Sequence, residues 1–186
     1  MSMKYIIKPA ATLLITAVIT VTALSIVYSF TKEPIEKQKR KTQETAMKEV
    51  LPQASEYRDM QAEKTGSIVA VYGGYANGDL VGFVVELSPE GYSGKIDLMV
   101  GISAIEEKIT GMRVLRHSET PGLGANAVKE DFYRRYDNRA LVSLGVVRAS
   151  PGENDIQAIT SSTITTRAIT GAVNEAIEWY NQRGRQ

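Results

Sequence analysis

Between Lys8 and Lys32 the chain carries no charged residue. The uncharged run, residues 9–31, is 23 residues long. As a helix it extends about 34 Å, enough to cross the ~30 Å hydrocarbon layer of a bilayer. Hydrocarbon offers no partner to a backbone N–H or C=O, so such a run has to be helical. A secretory signal is the competing reading, but the run ends in Tyr28-Ser29-Phe30-Thr31, which lacks a small-x-small cleavage site. The expectation is an uncleaved, single-pass anchor in contact with lipid through residues 10–30, with Tyr28 and Phe30 suited to the interface. Lys4, Lys8 and the amino terminus flank one side. Lys32, Lys37, Lys39, Arg40 and Lys41 flank the other, mixed with Glu33, Glu36 and Glu44. Taken literally, the positive-inside rule puts the large carboxyl-terminal part in the cytoplasm.

The chain beyond the anchor is large enough for one domain of ordinary size. Net charge is +1, so nothing points to nucleic acid. The chain has no cysteine, which excludes iron–sulfur clusters, disulfides, c-type haem and thiolate zinc. It has one histidine, His117, so bis-His haem is excluded too. If this chain moves electrons, the carrier is an organic cofactor.

Three segments are expected: the amino-terminal segment and anchor 1–31, a membrane-proximal helix or linker 32–55, and a folded domain 56–186. Residues 33–50 are polar helix formers that start at Pro34 and stop before Pro52. Strands are expected over 68–72 and 80–87, joined by a turn containing Gly73, Gly74, Asn77 and Gly78. Further strands are expected over 95–101, within 105–115 with Gly111 at a turn or bulge, and over 141–147. A helix is expected over 125–136. The best helix is 165–182, where Ala168, Ile169, Ala172, Val173, Ala176, Ile177 and Tyr180 form one apolar stripe. Arg167, Asn174, Glu175, Glu178 and Asn181 face outward in that register, and Gly184 ends the helix. Strands grouped before a closing helix predict an α+β domain with a mainly antiparallel sheet and packed helices.

Three motifs bear on chemistry. Residues 160–166 place six hydroxyl side chains in seven positions, immediately before the best helix. Ser and Thr are ordinary N-cap residues, so capping alone accounts for such a cluster. A helix start also offers free N–H groups and a positive dipole end to a phosphate. The second motif is His117-Ser118-Glu119-Thr120-Pro121-Gly122-Leu123-Gly124, a rigid loop poor in side chains that can lie close to a flat ligand. Its extension, Gly122 to Ala127, only partly matches a dinucleotide fingerprint, because Pro121 interrupts the turn. No phosphate-binding loop with Gly-Lys-Ser/Thr is present. His117 and Glu119 are the types of an acid–base pair, or of plain surface residues. The third motif, Gly91-Tyr92-Ser93-Gly94-Lys95-Ile96, is a glycine turn feeding a strand.

Together these motifs resemble the FMN-binding domain of RnfG, the G component of the Rnf electron transport complex, and of its relative NqrC. That family carries Gly-Tyr-x-Gly-x-Ile, then Glu-Thr-Pro-Gly-Leu-Gly, then Ser/Thr-Gly-Ala-Thr-x-Thr/Ser. The corresponding residues here are Gly91 to Ile96, Glu119 to Gly124, and Thr160 to Thr165. The resemblance implies FMN joined by a phosphoester to Thr163. It implies a phosphate environment from Ser161, Ser162, Thr165 and Arg167, and a ring lying along Glu119, Thr120, Gly122, Leu123 and Gly124. Tyr92 either stacks near the ring or packs in the core. This chain departs from the pattern at Ser161-Ser162, where the family has Gly-Ala, and at Gln157, where it commonly has Asp.

The implied role is a one-electron relay in an ion-translocating ferredoxin:NAD oxidoreductase of the cell membrane. By this resemblance the chain works with the other Rnf subunits, depends on a flavin transferase for maturation, and holds its FMN domain outside the cytoplasm. Nothing in it supports a ferredoxin or NAD site of its own. Two alternatives stay open: an FMN relay of another membrane electron chain, and a membrane-anchored interaction module without redox chemistry.

Overall fold

The structure, a computed structural model, describes residues 4–184. The amino terminus, counted above among the flanking charges, and the last two residues of the expected domain lie outside the described residues. Contacts divide the chain into a unit ending at residue 42 and a unit beginning at residue 43.

The first unit is helical, part of α1 (Lys4–Val50). The helix continues past Pro34, where the sequence pattern favours a new helix start. The residues after Pro34 are strong helix formers, and a helix can tolerate one missing N–H when its neighbours hold. The apolar stretch has a mean hydropathy of 2.3, and none of it is buried in protein. Six of its hydroxyls are satisfied within the helix. Thr12, Thr16, Thr20, Thr22, Ser29 and Thr31 each donate to a carbonyl three or four residues back. By length and composition this helix can cross a membrane.

The second unit is built on a six-stranded sheet whose strands lie in chain order, each antiparallel to the next. They are β1 (Glu56–Asp59), β2 (Ile68–Ala76), β3 (Asp79–Leu87), β4 (Asp97–Ser103), β5 (Lys108–Arg116) and β6 (Arg139–Ala140). β2 and β3 turn at Asn77 and Gly78 alone, both at positive φ, the geometry a two-residue hairpin needs. Gly73 and Gly74, expected in that turn, instead lie in β2 opposite Phe83 and Gly82. The register of β4 and β5 shifts beside Gly111, so the expected irregularity there is a bulge within one strand.

Both faces of the sheet are covered. On β4, Leu98, Val100 and Ile102 point into the main core, while Met99 packs on the opposite face with Met47, Val50 and Leu51 from the end of α1. This two-sided burial explains why β3 and β4 read as nearly continuous apolar runs. On the main-core side lies α3 (Thr163–Trp179), continued by a π-helical turn over Tyr180–Gly184. Ile169, Ala172, Val173, Ala176, Ile177 and Tyr180 of its expected stripe are buried. Phe83 meets Trp179 and Tyr180 edge-on, with centroids 5.3 and 5.9 Å apart. Each large apolar side chain placed there contributes roughly 1.5–3 kcal/mol.

Two expected elements differ. Residues 125–136 do not form one helix. They form a 3-10 turn (Gly124–Val128), α2 (Glu130–Tyr133) and a second 3-10 turn (Arg134–Tyr136). Lys129 is extended (φ −78, ψ 147) and breaks the run, which lets Ala127, Phe132 and Tyr136 all reach the core. Of 141–147, only β7 (Gly145–Val147) is a strand, and it pairs in parallel with β8 (Asp155–Gln157). Nor do Asn174 and Glu175 simply face solvent. Asn174 exchanges two hydrogen bonds with the Leu144 backbone, and Glu175 accepts from Ser67 N–H and Oγ.

Candidate functional site

The α3 helix begins at Thr163, two residues earlier than the apolar periodicity implies, and Ser162 is its N-cap residue. The cap is unusual. Ser162 makes no side-chain hydrogen bond to the helix. The first intrahelical bond is Thr166 N–H to Ser162 O at 3.1 Å. The N–H groups of Thr163, Ile164 and Thr165 therefore find no acceptor among the described residues. These are the orphan donors that a capping cluster ordinarily satisfies.

The hydroxyls of the cluster fall into two groups. Thr165 and Thr166 are buried and engaged. Thr166 Oγ1 accepts from Ile159 N–H at 3.1 Å and donates to Ser162 O at 3.0 Å, which fixes the turn leading into the helix. Thr165 Oγ1 donates to Glu119 Oε2 at 2.7 Å. The hydroxyls of Thr160, Ser161, Ser162 and Thr163 make no hydrogen bond among the described residues. Ser161 has φ +61, in the region that favours glycine. Ser161 adopts this backbone conformation at a cost that a glycine would not carry.

Glu119 joins all three motifs. It is 6% exposed. Its Oε1 accepts from Tyr92 N–H at 2.8 Å and Ser93 N–H at 2.9 Å, while Oε2 takes the Thr165 hydroxyl. Burial by itself raises its pKa. The donors from Ser93, Thr165 and Tyr92 outweigh burial and hold the carboxyl below its ordinary 4.5. His117 Nδ1 accepts from the Glu119 N–H at 3.2 Å, so this pair is a local loop contact. Close packing around the carboxylate demands Gly124, where a Cβ would collide with Glu119 Oε2 and lie 2.7 Å from Thr165 Oγ1.

These pieces line a cleft of about 430 Å³ formed by Tyr92, Glu119, Thr120, Leu123, Gly124, Arg148 and the run Ser161 to Thr165. The structure thus gathers nine of the eleven residues expected around the cofactor, all but Gly122 and Arg167. Gly122 does not line the cleft; its φ of +79 serves the turn, and its carbonyl accepts from Asn126 Nδ2. Tyr92 is 71% exposed, which removes the core-packing reading. Leu123 and Ile164 present apolar surface at 42% and 55% exposure. Ile164 lies within the hydroxyl motif but is not among the residues expected to hold a ligand, and Arg148 belongs to no motif that the sequence reveals. Arg167, expected as a phosphate partner, is exposed and does not line the cleft. Free helix-start donors, one cation and a cleft with apolar surface from Leu123 and Ile164 suit a ligand with a phosphate at one end and a planar ring at the other.

Residues 1–50 match the family described as the RnfG N-terminal region, and residues 91–178 match the FMN-binding domain family. The G subunit of the Na(+)-translocating ferredoxin:NAD(+) oxidoreductase complex of Acetobacterium woodii is 34% identical, over 95% of this chain and 92% of that protein. The G subunit of the ion-translocating oxidoreductase complex of Methanosarcina acetivorans is 32% identical, over 96% of each chain. A crystal structure of the C subunit of Na(+)-translocating NADH-quinone reductase from Parabacteroides distasonis superposes with a TM-score of 0.52 at 20% identity. The match covers 61% of each chain and shows a shared fold. With relatives this similar along almost its whole length, the chain belongs to the family of G subunits of ion-translocating oxidoreductase complexes.

Proposed function

We propose that this chain is the flavin-carrying subunit of a membrane-bound, ion-translocating ferredoxin:NAD oxidoreductase complex, and that Thr163 Oγ1 holds FMN through a phosphoester. The observation that carries the proposal is the start of α3, where three backbone N–H groups and the Thr163 hydroxyl lack protein partners beside the cleft. A phosphate attached at Thr163 meets donors that have no partner among the described residues and a favourable helix dipole. Bound FMN supplies one-electron chemistry that no side chain of this chain possesses.

The residues of the chain divide the remaining work. Glu119 fixes the distance between the Tyr92 loop and the helix start, so the cleft keeps one width. Leu123 and Ile164 offer apolar surface to a ring, and Tyr92 lies at the rim. A covalent tether suits a domain placed outside the cytoplasm, where lost FMN is not replaced, and it keeps the local concentration high. We place the domain on that side, against the literal charge count, because mixed acidic and basic flanks weaken the positive-inside signal. Maturation then requires a flavin transferase that recognises the segment around Thr163.

Native membranes run on a denaturing gel and viewed under ultraviolet light test the attachment. A fluorescent band at the mass of this chain is expected, and a dark band contradicts the proposal. Impermeant labelling of cysteines introduced into the domain, in intact cells, tests its side. Labelling without permeabilisation is expected.

A further inference from the structure

A second cleft of about 340 Å³ adjoins the first, lined by Arg148, Ala158, Ile159, Thr160, Ser161 and Thr163. Thr163, Ser161 and Arg148 line both clefts. The two differ in charge. Glu119 lines the larger cleft, no carboxylate lines the smaller one, and Arg148 is the one cationic side chain lining either. Resting on the reading of Thr163 as the attachment site, we propose that Arg148 binds the phosphate esterified to Thr163 from the smaller cleft, leaving the larger cleft to the ring.

The fold brings Arg148 there by backbone pairing. It follows β7 directly, and β7 pairs in parallel with β8, which leads into the hydroxyl cluster. Ala158 N–H donates to Val147 O at 2.8 Å, extending the pairing to the residue before Arg148. The Gln157 amide donates to the Arg148 carbonyl at 3.4 Å. Gln157 stands where the family commonly has Asp, and an ionised Asp has no donor for that carbonyl. The connection between the two strands is closed by Arg139 Nη1 donating to Glu153 O and by Gly145 N–H donating to Asn154 O at 2.8 Å.

The guanidinium itself is free. It forms no hydrogen bond, ion pair or ring contact among the described residues. Arg113, Arg116, Arg134, Arg135 and Arg183 all hold carboxylates. A planar fork of donors next to Thr163 matches a phosphate in shape and charge. Sorting the charge this way also keeps the phosphate apart from the carboxylate of Glu119, which is turned to Tyr92, Ser93 and Thr165.

The test uses the full chain in detergent after native maturation, with FMN loading read by intact mass and the thermal midpoint read for each form. Arg148→Gln is expected to lower the midpoint of the FMN-loaded chain by roughly 4–8 °C, the effect of one lost charge-assisted bond. In a Thr163→Val background, which carries no phosphate, the same substitution is expected to leave the midpoint unchanged, and Arg148→Lys restores most of the loaded-form loss. Failure of Arg148→Gln to load while Arg148→Lys loads also supports the assignment. Equal midpoint losses with and without the phosphate, no loss in either, or loss of loading in both Arg148 variants overturns it. A wild-type chain of unmodified mass overturns the attachment reading itself, and this inference with it.

Discussion

The Thr165 hydroxyl donates to the buried carboxylate of Glu119 at 2.7 Å, across 46 positions of chain. With the Tyr92 and Ser93 N–H groups on the other oxygen, this contact makes one rigid object of three motifs that lie far apart in sequence. The acid of the Glu-Thr-Pro-Gly-Leu-Gly run therefore holds the protein together at the cleft as well as lining it.

Glu119 gives the sharpest prediction about charge. Glu119→Gln can keep its carbonyl on the two N–H groups and donate from its amide nitrogen to the Thr165 hydroxyl oxygen, so it removes charge with little change of shape. Reduction adds negative charge to a flavin, so loss of a nearby carboxylate is expected to raise the midpoint potential of the loaded chain. Redox titration of wild type and variant checks this. Glu119→Ala is expected to cost about 2–4 kcal/mol in denaturant unfolding, because it leaves buried donors unpaired.

The same residue shapes the acid response. Its folded pKa lies below the ordinary 4.5. The stability it provides is complete above 4.5 and is lost as pH falls through the lower, folded value. Unfolding measured across the acid range should show this loss in wild type and a flatter curve in Glu119→Gln.

Ser161 sits at φ +61, where a Cβ is disfavoured. Ser161→Gly is expected to stabilise the chain by about 1 kcal/mol, less the extra entropy of an unfolded glycine. FMN loading should not fall. Chemical denaturation with parallel mass analysis checks both statements.

Neighbouring hydroxyls should behave differently on removal. Thr166→Val breaks the bonds to Ile159 N–H and Ser162 O and is expected to cost about 1–3 kcal/mol. Thr163 makes no such bonds, so Thr163→Val is expected to cost under about 0.5 kcal/mol in the unloaded chain. Gly124→Ala pushes a methyl against Glu119 and Thr165 and is expected to cost about 1–3 kcal/mol. Thermal or denaturant unfolding of unloaded proteins separates the three.

The sheet and the closing helix are legible in the sequence because their signals are periodic. The stripe from Ile169 to Tyr180 and the apolar runs of β3 and β4 each span several residues that face the same core. Four features have no such signal. β1 is an exposed edge strand reading Glu-Tyr-Arg-Asp. β8 has three residues, too few for a period of two to register, whereas β7 is the end of the strand expected over 141–147. Residues 125–136 look helical because their apolar residues have helical spacing, but one extended residue at Lys129 redirects them. Arg148 is a lone cation after a short strand, and only the parallel pairing with β8 explains its place beside Thr163. The loop residues 119–124 and the hydroxyl cluster are legible as motifs. That Glu119 holds them together is not, because the bond joins positions 46 apart in the chain.

The mass of this chain after maturation in its native membrane, followed by fragmentation of the peptide that contains residues 157–167, tests the covalent attachment most directly. The predicted result is one added FMN, located on Thr163, and an unmodified mass for Thr163→Val. An unmodified wild-type chain, or flavin retained by the valine variant, contradicts it.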